Sequence, residues 1–204
     1  MLEPEHLPNI YGQKYCVILN GPPGCGKDTL GQRVVRMING GNRMSCVQQE
    51  FKEALREATC KFFNIGLSEY VRHLFDDRKL KEIPHELFLG MSPRKALQHV
   101  SEDVIKPQHG RHFFGLMALR EVMESIVDLH VFTDGGFQEE ADMLMKECKV
   151  LVVQLSKEGT SFKGDTRNYV DGNVTIPMVV TEGHISENAA ELYMIINQFI
   201  KGVN

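Results

Sequence analysis

Residues Gly21-Pro22-Pro23-Gly24-Cys25-Gly26-Lys27-Asp28-Thr29 carry the types that grip a phosphate. Glycines let successive backbone N–H groups turn toward one anion. A helix beginning near Asp28 adds its unpaired N–H groups and the positive end of its dipole. Lys27 reaches back over the same anion as a mobile cation. The spacing fits Gly-x-x-x-x-Gly-Lys, although Asp28 stands where Ser or Thr is usual and Thr29 comes one place late. A plain Gly/Pro turn has a similar composition. Here, however, the apolar run Tyr15-Cys16-Val17-Ile18-Leu19 precedes the glycines and a helical pattern follows them. The pattern therefore predicts a cradle for a nucleoside triphosphate, built from Gly21, Pro22, Gly24, Cys25, Gly26, Lys27, Asp28 and Thr29.

Further residues suit the same chemistry. Asp134 follows the apolar run Val131-Phe132-Thr133. A carboxylate at the end of a strand, beside a phosphate loop, is what a Mg²⁺–triphosphate site needs. The competing reading of Asp134 is a helix cap at Asp134-Gly135-Gly136. Ser92-Pro93 marks a helix start, with Ser as N-cap and Pro in the first position. Arg94 then sits in the first turn, where a cation opposes the helix dipole. A planar guanidinium can grip a phosphate in two places, so Arg94 is a candidate for a second anion, with Gln98 nearby. Arg111 follows the Pro107 and Gly110 break. Lys52 and Arg56 are explained equally well as the polar face of an amphipathic helix. Arg167 is the single arginine of the polar stretch Ser156 to Thr175, which contains Gly159, Gly164 and Gly172 and reads as a lid. Arginines on such loops close over transferring phosphates.

The elements that must position these residues alternate. Strands are expected at about Tyr15–Asn20, Met44–Gln48, His130–Thr133, Val150–Leu155 and Met178–Thr181. Helices are expected at about Asp28–Ile38, after Phe51 to Phe62, at Arg111–Val127, before Glu147, and at Glu187–Ile200. Asn39-Gly40-Gly41-Asn42 reads as a turn. Most of Ser68 to Val127 reads as helical. Alternating β and α elements imply an α/β fold, a five-stranded, mostly parallel sheet flanked by helices.

Composition bounds the partners. With 204 residues and 42% hydrophobic content, the chain can bury one sizeable core. A formal charge of -4 argues against coating nucleic acid. The cysteines (Cys16, Cys25, Cys46, Cys60, Cys148) form no C-x-x-C pair and no zinc spacing, which suggests reduced thiols in a cytoplasm-like compartment. The stretch Met1 to Gln13 reads as a polar lead-in without signal peptide or membrane span.

The loop Gly21 to Thr29 resembles that of nucleoside monophosphate kinases of the adenylate-kinase type. Its Gly-Lys-Asp-Thr form is similar to that of phage-type deoxynucleoside monophosphate kinases. Phe51-Lys52-Glu53-Ala54-Leu55, Ser92-Pro93-Arg94-Lys95-Ala96-Leu97-Gln98 and Phe132-Thr133-Asp134-Gly135-Gly136-Phe137 are similar to further segments of that family, in the same order. The resemblance spans about the first three-quarters of the chain. It implies a single P-loop kinase domain over 1–204, with a helical monophosphate-binding region at about 50–127 and a lid at about 156–175. It implies ATP and Mg²⁺, with Asp28 and Asp134 as metal ligands. It places Phe51, Lys52, Arg94, Gln98 and Arg111 on the monophosphate, and makes Lys27, Arg94, Asp134 and Arg167 catalytic. The implied reaction is ATP-dependent phosphorylation of a deoxynucleoside monophosphate in the cytoplasm, the host's if the gene is phage-borne. Relatives commonly carry an arginine where this chain has Gly136, so Arg111 or Arg167 must supply that charge. Another small-molecule P-loop kinase and a nucleotide-binding module without turnover are the alternatives. A GTPase switch lacks its Asn-Lys-x-Asp here, and Asp134-Gly135-Gly136 continues with Phe137 where an Asp-x-x-Gly would need glycine. The accepted base and the oligomeric state stay open, a homodimer included.

Overall fold

Strand β1 (Tyr15–Asn20) lies in the middle of a five-stranded sheet of order β2-β3-β1-β4-β5. The computed structural model describes residues 12–41 and 44–202; the expected lead-in up to residue 11, and Asn42 of the expected turn, lie outside them. The other strands are β2 (Cys46–Gln49), β3 (Leu129–Phe132), β4 (Lys149–Ser156) and β5 (Val174–Val179). Every pairing is parallel, and Val17 stands opposite both Val131 and Leu151. Parallel strands are covered on both faces, which is why β1, β3 and β4 read as continuous apolar runs.

Alternation along β1 sorts the two layers. Val17 and Leu19 pack with Leu30 and Val34 of α1 (Lys27–Gly40) and with Leu192 and Ile196 of α8 (Ile185–Lys201). Cys16 and Ile18 face Leu119 and Val122 of α6 (Phe113–Glu124) and Ala141 and Leu144 of α7 (Gln138–Leu144). The chain leaves β1 toward β2 on one side and leaves β3 toward β4 on the other. Such a reversal between neighbouring strands opens a crevice at their carboxyl ends. Asn20, Gly21, Thr133 and Asp134 stand there.

Residues 157–173, between β4 and β5, form neither helix nor strand. Strand β5 starts earlier than the expected Met178, because Pro177 reads as a breaker. At a sheet edge, one side of the strand needs no ladder bond, so proline is tolerated there.

Lys52–Phe114 forms a second compact unit. It contains α2 (Lys52–Phe62), α3 (Glu69–Asp76), two 3₁₀ turns at Leu80–Glu82 and Glu86–Phe88, α4 (Pro93–Gln98), a π-type turn over His99–Ile105 and α5 (Lys106–His109). Cys60, Val71, Leu74, Phe75, Phe88 and Ala96 make its core. The Ser92 hydroxyl accepts the Lys95 N–H at 3.3 Å, the cap that Ser92-Pro93 promised. The helix expected over Arg111–Val127 is the shorter α6, and from Gly115 onward its residues belong with the sheet. All five cysteines are free and buried. Among the described residues, no helix is long and apolar enough to cross a membrane.

Candidate active site

The chain leaves β1 at Asn20 and turns through residues 21–26 into α1. Gly24 and Gly26 have φ of 86° and 90°, backbone that other residues adopt only under strain. A methyl group on Gly21 would lie 2.6 Å from the Leu155 carbonyl oxygen. Gly26 occupies the N-cap position of α1 and brings no side-chain acceptor. The first-turn N–H groups of α1 therefore keep their capacity for an anion. The Lys27 ammonium donates to the carbonyls of Gly21 (2.6 Å) and Pro22 (2.9 Å) and lies 3.7 Å from the Cys25 sulfur. It is 9% exposed. Burial lowers its pKa below the usual lysine value; Cys25 opposes that shift, Arg167 adds to it, and Asp28 opposes it again. Asp28 and Thr29 are exposed on the first turn of α1.

Asn20 is fully buried. Its amide donates to the carbonyls of Gly135 (3.1 Å) and Asn168 (3.0 Å) and accepts the Val170 N–H at 2.9 Å. One side chain thus ties β1 to the turn after β3 and to the connection after β4. Asp134 is half-buried, and its Oδ1 accepts the Phe51 N–H at 2.8 Å. At the start of α7 it is Glu140, not Asp134, that accepts the Gly136 and Phe137 N–H groups, each at 3.3 Å. Phe51 was expected on the monophosphate. It is 2% exposed and stacked on Phe132 with ring centres 4.4 Å apart, so its side chain is core and its backbone serves Asp134.

Arg167 is also placed differently from expectation. Its side chain lies against Gly136, and it pairs in two-pronged fashion with Asp165, Nε to Oδ1 at 3.0 Å and Nη2 to Oδ2 at 2.6 Å. The Asp165 hydrogen bond raises the guanidinium pKa; burial opposes it, and Asp165, Asp134 and Glu140 add their charges. The Asp165 carboxyl is held low, first by that same hydrogen bond. Lys27, Asp134, Asp165 and Arg167 thus share one electrostatic neighbourhood. Val170 is buried in the core, Asn168 N–H donates to the Gly136 carbonyl at 3.1 Å, and the Phe162 and Tyr169 rings meet edge to face. Residues 165–171 are therefore sewn to the strand ends, whereas composition alone had made them part of a lid. Asn20, Asp165 and Glu140 escaped selection as site residues. Asn20 left a signal as a polar residue at the end of an apolar run, and Glu140 as part of the acidic helix start that follows Asp134.

The remaining candidates lie in the helical unit. Arg94 is exposed and its Nε donates to Glu82 at 2.6 Å, with Gln98 exposed farther along the same helix. Lys52 lies 3.7 Å from Asp76. Arg111 is exposed after Gly110, and its charge helps to lower the Glu102 carboxyl, although burial is the largest influence there and acts upward. Arg56, which looked like a surface cation, is 3% exposed and paired with Glu53 at 3.0 Å and with Asp76. Glu53 also holds Arg72 at 2.5 Å. Only the Glu53–Arg56 pair, three apart on a helix, has a spacing that sequence shows; Arg72 and Asp76 join it from α3. Among the described residues, no three His, Cys, Asp or Glu side chains converge on a metal position. Lone carboxylates such as Asp28 and Asp134 still suit Mg²⁺, which takes one or two of them together with substrate phosphates.

The parallel sheet, the uncapped helix behind two left-handed glycines, and Lys27 define a P-loop α/β protein. No protein-family model matches the chain. It is 24% identical over 152 residues to a protein of Acanthamoeba polyphaga mimivirus provisionally named a deoxynucleotide monophosphate kinase, covering 69% of this chain and 73% of that one. Among solved structures, a shikimate kinase from Acinetobacter baumannii overlays with a TM-score of 0.42 at 13% identity, over 94% of this chain and 95% of that one. A hexameric APS kinase from Thiobacillus denitrificans gives 0.43 at 10% identity, over 95% of this chain and 30% of that one. These overlays are too loose to carry an argument about activity.

Proposed function

We propose that the chain is an ATP-dependent phosphotransferase acting on a deoxynucleoside monophosphate. The observation that carries this reading is Lys27, buried behind an uncapped helix end and sharing its surroundings with Asp134 and Arg167. The similarity to the mimivirus protein supports the choice of acceptor.

The loop amides and the start of α1 would take the donor's β- and γ-phosphates. Lys27 would exchange the Gly21 and Pro22 carbonyls for phosphate oxygens. Burial disfavours its charge, so an incoming anion relieves the cost and gains a strong partner. Mg²⁺, when bound, neutralises phosphate charge; Asp134 would hold it, with Asp28 as the other candidate ligand. Arg167 would neutralise charge on the transferring group. Arg94, with Gln98, Lys52 and Arg111, would take the acceptor's phosphate. Phosphoryl transfer asks for position and charge rather than covalent help from the protein.

The test is incubation with ATP–Mg²⁺ and a panel of deoxy- and ribonucleoside monophosphates, with diphosphate formation followed. Turnover confined to nucleotides is the expected result. Turnover only with non-nucleotide acceptors points to another small-molecule kinase. ATP binding without any turnover leaves a nucleotide-binding module.

A further inference from the structure

Gly136 has no conformational reason to be glycine. Its φ is outside the left-handed region that Gly24, Gly26, Gly159 and Gly164 occupy, so its backbone suits any residue. Space is the reason. A Cβ at position 136 would lie 2.7 Å from both Cβ and Cδ of Arg167 and 2.8 Å from its Cγ. The arginine's aliphatic stem is laid directly on the Gly136 α-carbon. The adjoining backbone is fixed as well. The Gly136 carbonyl accepts the Asn168 N–H at 3.1 Å, and the Gly136 N–H donates to Glu140 at 3.3 Å. Asp165 accepts the Arg167 backbone N–H at 2.9 Å and both prongs of its guanidinium. These contacts fix the arginine from its backbone, its stem and its head.

We propose that Arg167 is a resident cation of the phosphate site, seated on Gly136 and aligned by Asp165, and that Gly136 is a positioning residue for it. This rests on the phosphate-loop part of the function proposed above, and on no choice of acceptor. A polyphosphate on the loop then meets Lys27 from one side and Arg167 from another, without any loop carrying the arginine in. The three atoms nearest a methyl group at position 136 all belong to Arg167, so Gly136→Ala acts on the site by displacing that arginine.

The experiment titrates inorganic tripolyphosphate into the wild type, Gly136→Ala, Arg167→Gly and the double variant by calorimetry, with urea unfolding as a control. Arg167→Gly is expected to weaken binding by about tenfold or more, the loss of a charge-assisted, two-pronged contact. Gly136→Ala should weaken it comparably, and in the Arg167→Gly background it should change affinity by less than about twofold, the mark of two changes acting through one contact. A merely structural role for Gly136 predicts equal losses in both backgrounds, and that result overturns the proposal. So does wild-type affinity in Gly136→Ala, and so does a wild type that does not bind tripolyphosphate. If Gly136→Ala fails to fold, the double variant must fold, because glycine at 167 removes both the Cβ and the stem that clash. A double variant that also fails to fold overturns the proposal. Absence of kinase turnover, with this pattern of tripolyphosphate binding intact, sinks the phosphotransferase reading alone.

Discussion

The side chain of Asn20 accepts the backbone N–H of Val170 at 2.9 Å, across 150 positions of sequence. The same amide donates to Gly135 and Asn168, so its removal strands two carbonyls and one N–H in the interior. Asn20→Ala should destabilise the fold by about 3 kcal/mol, in line with the cost of leaving buried polar groups unpaired. Hydrogen exchange should rise across residues 165–171 well before it rises in β4. Uniform exchange change along the chain would show that Asn20 is not a local tie.

Lys27→Ala should keep the circular dichroism of the wild type and lose most turnover. Removing one preorganised charge donor from a reaction centre typically costs about 100- to 1,000-fold in rate. A folded variant whose rate stays within a few-fold of the wild type removes Lys27 from the chemistry.

Arg94→Ala should raise KM for the monophosphate by about tenfold or more, the loss of a charge-assisted contact. Affinity for ATP should stay nearly unchanged. Equal losses for donor and acceptor in separate titrations would remove Arg94 from the acceptor's phosphate.

Phe51→Ala should act on stability, because the ring is stacked on Phe132 inside the core. A loss of about 3–5 kcal/mol is expected for a buried phenylalanine. Urea unfolding measures it. A stability change below about 1 kcal/mol, with acceptor KM raised instead, would return Phe51 to the substrate-binding set.

His130 is fully buried, its Nδ1 2.7 Å from the Gln49 amide and its Nε2 3.1 Å from the Val127 carbonyl. Burial pushes its pKa down to about 4, against the opposing Val127 hydrogen bond. Between about pH 6.5, the ordinary histidine value, and about 4, the unfolded ring takes up a proton that the folded ring refuses. Stability therefore rises with pH across that window, and up to about 3 kcal/mol is lost as pH falls through it. Urea midpoints measured at several pH values should fall more steeply for the wild type than for His130→Gln. Parallel slopes would discharge His130 from the acid response.

The apolar runs announced β1, β3 and β4 because parallel strands are apolar on both faces, and the loop from Gly21 to Thr29 stood in strand-turn-helix order. Pro177 concealed the start of β5, since sequence does not reveal which strand is an edge. Phe51 resembled a ligand contact because an aromatic before a helix reads alike whether it faces solvent or Phe132. The anchoring of residues 165–171 was the part least legible in the sequence. Gly159, Gly164 and Gly172 dominate the composition of that stretch, while its anchors are a lone Val170 and an asparagine from β1. Interactions that join residues so distant in sequence leave no local pattern to read.

The central place of β1 also governs how the protein can be made. Its two partners, β3 and β4, are synthesised long after it, and the Lys14 ammonium waits for carbonyls 111 and 113 positions downstream. Pairing over such distances carries a large loop-closure cost and slows folding. Until Ser156 has emerged from the ribosome, β1 is paired along one edge at most, and Gly21 lacks the Leu155 carbonyl that stands beside it in the folded loop. Translation must therefore run through β4 before the strand that carries the phosphate loop is held on both edges, and an amino-terminal fragment ending before that strand leaves one edge of β1 open.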